Sequence, residues 1–562
     1  MRKRVLNLNP LNKYIQEQME SHKTPGLALA VTDRRETLHL GTFGYSDLGT
    51  RTPIAPTDLF EIGSIGKTFT AIAVLQAVER GELDLHSPVA EYLPWFRVKT
   101  SYNPITIHHL LSHTSGLIEG TDFSPDGRGE VWALRETETG FPPGERFHYS
   151  NVGYKVLGLA LEAAAGRSYP EILRTGILEP IKMDDSLPQI THPARLRMAK
   201  GYQPLYDDRP THPSQPLYPA PWLETDTSDG SVASTAVDMA KFVRMLLNAG
   251  MADGKRILSK SSFDLMTTHH ISQDEDWYYG YGLEIFEREG YAHIGHGGDM
   301  PGYEAYISLD QDNDLGCILL FTKPYPTGIA LPILDFLRAA RLGINLPDLP
   351  SPTDPCTLIE ADLLAYAGVY KKAAADIGGI EAPLNDARSS PEEIPENLVF
   401  KASGGSLALE IAGTLIPLEP RGNDKFYTSH PDYDRFLFHF GFTHNIAADK
   451  QAVEVFWGPC WFVSDSYLGP GSFDTPSSWR AFCGHYRSHN PWDSNFRIFK
   501  RKGNLILAWP SGEEQGLNQL DENSFRIGDR WSPERIIFDQ ILDGRALRAR
   551  RSGCDYYRFF TP

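Results

Sequence analysis

The chain has 562 residues, 41% of them hydrophobic, and a formal net charge of -18 at pH 7. That length supports several packed cores, at roughly one domain per 150 residues. An acidic chain with no block of basic residues is a poor partner for nucleic acid or an anionic membrane surface. No stretch reaches the roughly 18 apolar residues of a membrane span. The basic start, MRKR, is not followed by the apolar run of a signal peptide, so the expected location is cytoplasmic. The five cysteines, Cys317, Cys356, Cys460, Cys483 and Cys554, are scattered and form no CxxC pair. Reduced thiols are expected, with no disulfide framework, no metal site and no cofactor.

In chain order, GLALAVTD (26–33) and ETLHLGTFGYSD (36–47) predict two paired strands. Ser64 to Arg80 has the length and apolar spacing of a buried helix ending near Gly81. Asn151 to Ala165 predicts a second helix, stopped by Gly166. Residues 201–229 are rich in Pro and Tyr and show no period; a loop this long predicts a wall or lid of a site. Val237 to Leu247 predicts a third helix with Asp238 in its first turn. YEAYISLDQDN (303–313) and LGCILLFT (315–322) predict two more strands. Helices flanking a sheet built from both ends of this region form a layered sandwich.

A proline-rich linker, NLPDLPSPTDP (345–355), changes the composition to short alternating runs. An internal repeat follows. LLAYAGVYKK (363–372) aligns with WRAFCGHYRS (479–488), SLALEI (406–411) with NLILAW (504–509), and RFLFHF (435–440) with RIIFDQ (535–540). Two copies in constant order predict two small antiparallel β-barrels. The expected domains are therefore 1–345, 356–468 and 479–562. Exposed barrel edges would make a homo-oligomer plausible.

Ser64 and Lys67 open the first helix of the segment FEIGSIGKTFTA (60–71). A lysine in a first turn is disfavoured by the helix dipole. It stands over Ser64 at i+3, where a buried amine can take part in proton transfer. A serine hydroxyl needs such help, and a helix N-terminus supplies N–H groups for a forming oxyanion. Tyr149 and Asn151 lie in HYSNVGY (148–154). A tyrosine beside a cation is expected to have a lowered phenol pKa and to relay the serine proton. Asn151 is placed to hold a substrate amide or the Lys67 ammonium. GHGGDMPGY (295–303) sets His296 before Gly297 and Gly298, and glycines let a strand approach a ligand closely.

This set resembles the serine β-lactamase and penicillin-binding-protein superfamily, whose signature contains Ser-x-x-Lys. It looks closest to the branch of class C β-lactamases, related esterases and D-aminopeptidases. ITIHHLLSHTSGL (105–117) and GSVASTAVDMAKF (230–242) also resemble that framework, so the likeness runs over residues 10–340. It implies an α+β fold, with a catalytic domain of antiparallel sheet and helices followed by two lipocalin-like barrels, as in D-aminopeptidases. It implies Ser64 as acylated nucleophile, Lys67 as its proton partner and Tyr149 as base and later acid. Asn151, His296, Gly297 and Gly298 would bind substrate, and the N–H groups of Ser64 and Asp299 would form the oxyanion hole. His296 stands where lactamases carry the lysine of Lys-Thr-Gly, which weakens recognition of a substrate carboxylate.

The resemblance thus implies a serine peptidase or amidase for short peptides or amino-acid amides, D-stereospecific in its sharpest form. A carboxylesterase, transacylase or peptide cyclase is the first alternative, and a non-catalytic binding protein the second. In D-aminopeptidases a loop of the last barrel reaches the cleft; the acidic SGEEQGLNQLDEN (511–523) would be its counterpart, or a solvated hairpin tip. His108, His109 and His113 lack the HExxH arrangement and are expected as helix and turn residues beneath the site. Trp277, Tyr278, Tyr279 and Tyr281 would line a pocket or serve packing.

Overall fold

The structure, a computed structural model, describes residues 8–120, 126–322, 329–351, 360–373, 395–442 and 451–558. Cys356 and the end of the expected 345–355 linker lie outside the described residues. The chain divides into two units. The first holds Met1–Gln203, Leu217–Ser351 and Trp531–Pro533; the second holds Pro204–Pro216, Pro352–Arg530 and Glu534–Pro562.

The first unit is built on a nine-stranded antiparallel sheet. Its strand Gly26–Thr32 lies between Thr37–Asp47 and the late strand Leu315–Phe321, with Leu27 opposite both Phe43 and Phe321. The two ends of the region therefore meet, as the sequence predicts. Every residue of Gly26–Thr32 and of Leu315–Phe321 is buried. Side chains alternate between faces along a strand, so a run without polar residues needs cover on both faces. Ala28, Ala30, Ile318 and Leu320 join the core that holds helix Ala236–Leu247. Leu27, Leu29, Val31, Cys317 and Leu319 face helices Asn9–His22 and Ala330–Leu342. Each large apolar side chain so buried contributes about 1.5–3 kcal/mol.

Helix Gly66–Glu79 is apolar all round and almost wholly buried, so it runs through the core. Its one long uncharged polar side chain, Gln76, donates to Gly176 O and Ile257 O. Helix Asn151–Ala165 starts on Ser150, whose Oγ accepts the Gly153 N–H at 3.0 Å, and ends at Gly166 with φ 65°. Both ends fall where the sequence places them.

The second unit contains two closed eight-stranded barrels, Gly368–Lys372 to Cys460–Val463 and Gly484–Arg487 to Cys554–Arg558. The repeat is visible in detail. Tyr370 donates to Tyr366 O at 2.9 Å with Ala452 O at 3.2 Å; Tyr486 donates to Phe482 O at 2.9 Å with Ala546 O at 3.3 Å. Aromatic rings fill the first barrel, Phe400, Phe426, Phe438 and Phe440 meeting largely edge to face. Closure removes the open strand edges, so the edge-pairing argument for self-association fails.

The 201–229 loop, expected as a wall or lid of a site, is divided between the two units. Its middle, 204–216, belongs to the barrel unit, where Asp207 accepts from Arg487 Nη2 at 2.6 Å and Arg209 donates to Asp434 at 2.8 Å. Only its end, around Asp229, reaches the residues of the candidate site. In the acidic 511–523 stretch, Glu514 pairs with Arg501 and Asp521 accepts the N–H groups of Asn523 and Ser524. These carboxylates are engaged locally, as in a hairpin turn.

Candidate active site

The short strand Phe60–Glu61 pairs with Ala233–Ser234 and leads into Gly63, whose φ is 49°. This left-handed residue swings the chain into one tight turn, Gly63–Ile65, before the helix begins at Gly66. Ser64 sits on that turn and its hydroxyl caps nothing. Lys67 is fully buried. Its Nζ donates to Ser64 Oγ at 3.0 Å, Asn151 Oδ1 at 2.7 Å and Asp229 O at 2.9 Å. Three acceptors around one amine nitrogen match the three donors of an ammonium.

The Tyr291–Met300 strand runs against the same turn. A Cβ on Gly298 would lie 1.9 Å from Ile62 O and 3.2 Å from Ser64 N; one on Gly63 would lie 2.7 Å from Asp299 N. Only glycine at 298 permits this approach, which brings the backbones of Ser64 and Asp299 together.

Tyr149 is half-buried, and the Ser64 side chain acts on its phenol. Lys67 Nζ lies 4.8 Å from the centre of its ring. The expected lowering of the phenol pKa is not found. Burial pushes it well above its ordinary value, and the nearby Ser64 side chain offsets this only in part. The resting phenol is therefore protonated at neutral pH.

His296 is 3% exposed and its pKa is lowered to about 4, first by burial and further by the Lys67 charge. Its Nδ1 lies 2.5 Å from Gly297 O, which only accepts, so Nδ1 carries the hydrogen. Nε2 then accepts from Tyr279 Oη at 3.0 Å. Both ring nitrogens are engaged within the protein, and the ring is neutral. Of the aromatic cluster, Tyr279 alone reaches His296. Trp277 packs on Phe286, Tyr278 stacks on His269, and Tyr281 bonds His108 Nδ1 at 2.7 Å.

Three buried charged residues near the site escape the sequence reading. Lys155 pairs with Glu130 and lies 3.8 Å from Asp229 Oδ2. The available signal was its place four residues after Asn151, on the same helix face. Asp229 links this cluster to the site, since its carbonyl accepts from Lys67.

Glu61, on the strand before Gly63, is also buried, and burial raises its pKa from 4.5 to about 8. Between those values the folded protein keeps a proton that the unfolded chain has lost. Stability therefore falls as pH rises through that window and levels off above about 8. Glu61→Gln should raise the melting temperature near pH 9 and change it little near pH 5. Equal shifts at both pH values would show that the carboxyl does not titrate in this way.

A family model of the β-lactamases matches residues 11–340. Penicillin-binding protein 4 of Amycolatopsis lactamdurans is 30% identical over 370 residues, covering 62% of this chain and 94% of that protein. Penicillin-binding protein 4* of Bacillus subtilis (strain 168) is 27% identical over 382 residues, covering 62% of this chain and 80% of that protein. Among solved structures, the octameric penicillin-binding protein homologue from Pyrococcus abyssi superposes with a TM-score of 0.56 at 26% identity. It covers 82% of this chain and 100% of that one. A sheet-and-helix domain of this sequence, followed by two barrels, belongs to the β-lactamase and penicillin-binding-protein family of serine hydrolases.

Proposed function

We propose that this chain cleaves amide bonds of short peptides or amino-acid amides through an acyl-enzyme on Ser64. The observation that carries the reading is one buried amine, Lys67, donating to Ser64 Oγ and Asn151 Oδ1 while standing 4.8 Å from the ring centre of Tyr149. Ser64 Oγ attacks the carbonyl carbon and its proton passes to Tyr149 Oη. The phenol's own proton goes to the leaving nitrogen, whose bond to the acyl carbon breaks. Tyr149 thus works as a neutral relay, in keeping with its raised pKa. The Lys67 ammonium holds Ser64 Oγ, and the backbone N–H groups of Ser64 and Asp299 receive the oxyanion. Water then releases the acyl group by the reverse relay. Asn151 orients Lys67 and the substrate amide.

The neutral His296 supplies no fixed charge for a substrate carboxylate, which favours substrates recognised at another point, such as the amine end. The double barrel after the catalytic domain supports the D-aminopeptidase form of the reading. The carboxylesterase reading rests on the same nucleophile. The octameric state named for the Pyrococcus abyssi homologue supports self-association here, through side-chain faces rather than strand edges. Cys317, Cys460 and Cys554, buried and outside any disulfide among the described residues, support a reducing, cytoplasmic setting.

The test is kcat/KM for D-alanine p-nitroanilide, its L-isomer and p-nitrophenyl butyrate. Cleavage of the D-amide alone among the amides upholds the aminopeptidase form. Turnover of the ester with neither amide cleaved overturns the amidase reading.

A further inference from the structure

His113 is fully buried, yet its backbone is left-handed, with φ 55°. That conformation is costly for a residue with a Cβ and is found where the surroundings enforce it. The residue touches the Tyr149 segment on both sides. Its carbonyl accepts the His148 N–H at 2.8 Å, and its Nδ1 accepts the Ser150 N–H at 3.0 Å. Its ring lies 4.2 Å from the Tyr149 ring, centre to centre, tilted by 31°. The rings of Tyr279 and Tyr154 stand at 4.7 and 5.0 Å.

Because Nδ1 accepts, Nε2 carries the hydrogen. Among the described residues that Nε2 has no hydrogen-bond partner, although it is buried. A phenylalanine would fill the same space without this unsatisfied N–H. The position is thus unfavourable twice, in its backbone and in its buried donor. What it gains is a grip on the two residues that flank Tyr149.

We propose that His113 is a positioning residue for the reaction. By its carbonyl, its Nδ1 and its ring it fixes the chain at 148–150 so that the Tyr149 hydroxyl meets Ser64. The proposal rests on the acyl-enzyme reading above. Geometry is what a relay needs, since proton transfer requires hydrogen-bond reach between the partners.

The experiment compares His113→Asn, His113→Phe and the unchanged protein on whichever substrate turns over. A fluorophosphonate that labels Ser64 counts the folded sites. Asparagine places an oxygen where Nδ1 stands and tolerates a left-handed backbone. It should keep kcat within about tenfold. Phenylalanine keeps the ring and bares the Ser150 N–H. It should lower kcat per labelled site by about 100-fold, with KM within about threefold. If the phenylalanine protein does not fold, His113→Gln takes its place, because its amide reaches the Nε2 position and leaves Ser150 bare as well. A phenylalanine or glutamine variant with unchanged kcat per site overturns the proposal, as does an asparagine variant as impaired as those. Failure of the unchanged protein to label overturns the acyl-enzyme reading itself, and this proposal with it.

Discussion

Ser64→Ala should lower turnover by at least about 10⁴-fold and abolish labelling by a fluorophosphonate. The fold should survive. Ser64 is half-buried, and Lys67 keeps two of its three acceptors, Asn151 Oδ1 and Asp229 O. The melting temperature should move by no more than about 3 °C. Tyr149→Phe alone should cost about 10²–10⁴-fold, the range of one proton-transfer group. Added to Ser64→Ala it should cost nothing further, because groups acting as one unit are not additive. A Ser64→Ala protein that still turns over, at a rate Tyr149→Phe can lower, would place the chemistry on a different nucleophile.

Lys155→Met should destabilise the protein by about 3–5 kcal/mol, the cost of breaking a buried ion pair. Lys155 and Glu130 are each 3% exposed and Asp229 is 7% exposed. Asp229 Oδ1 already lacks a hydrogen-bond partner among the described residues, and the Lys155 cation lies 3.8 Å from its Oδ2. Methionine keeps the stem of the lysine and removes the cation that pairs with Glu130 and faces Asp229. Activity should fall with stability, since Asp229 O is one of the three acceptors around Lys67. Adding Glu130→Gln and Asp229→Asn should recover most of the lost stability by removing the buried negative charges that Lys155 offset. Urea unfolding of the four proteins measures each step. An unchanged midpoint in Lys155→Met would mean that solvent or a proton neutralises the carboxylates.

The site was legible in the sequence where its members are neighbours in sequence or stand at a helix end. Ser64 and Lys67 share one turn, and Asn151 follows a serine cap and opens a helix that Gly166 closes. Glycines 297 and 298 suggested a strand that a ligand can approach; what the structure shows is that Gly298 lets the strand lie against the Ser64 turn, where a Cβ would come 1.9 Å from Ile62 O. Lys155, Glu130 and Asp229 were not legible. Their pairing spans distant segments, and a lysine within an apolar helix reads equally as a solvated residue. The direction of the Tyr149 shift was missed for a related reason. A nearby cation can be inferred from spacing, whereas the burial that outweighs it belongs to the whole fold. The membership of residues 204–216 in the second unit was not legible, because a segment without period does not say which unit it will join.

Closure of the barrels has a consequence for how the protein is made. The strand Cys554–Arg558 completes the second barrel by pairing with Gly484–Arg487, Arg558 bonding Tyr486 across 72 residues. A ribosome adds about 5–20 residues each second. For several seconds, therefore, the Gly484–Arg487 strand exists without the partner that will cover its edge. Pairing over such a sequence separation is also slow in itself. The interval before the ring shuts is the period in which this half of the chain is most open to capture by a neighbouring chain on the same message.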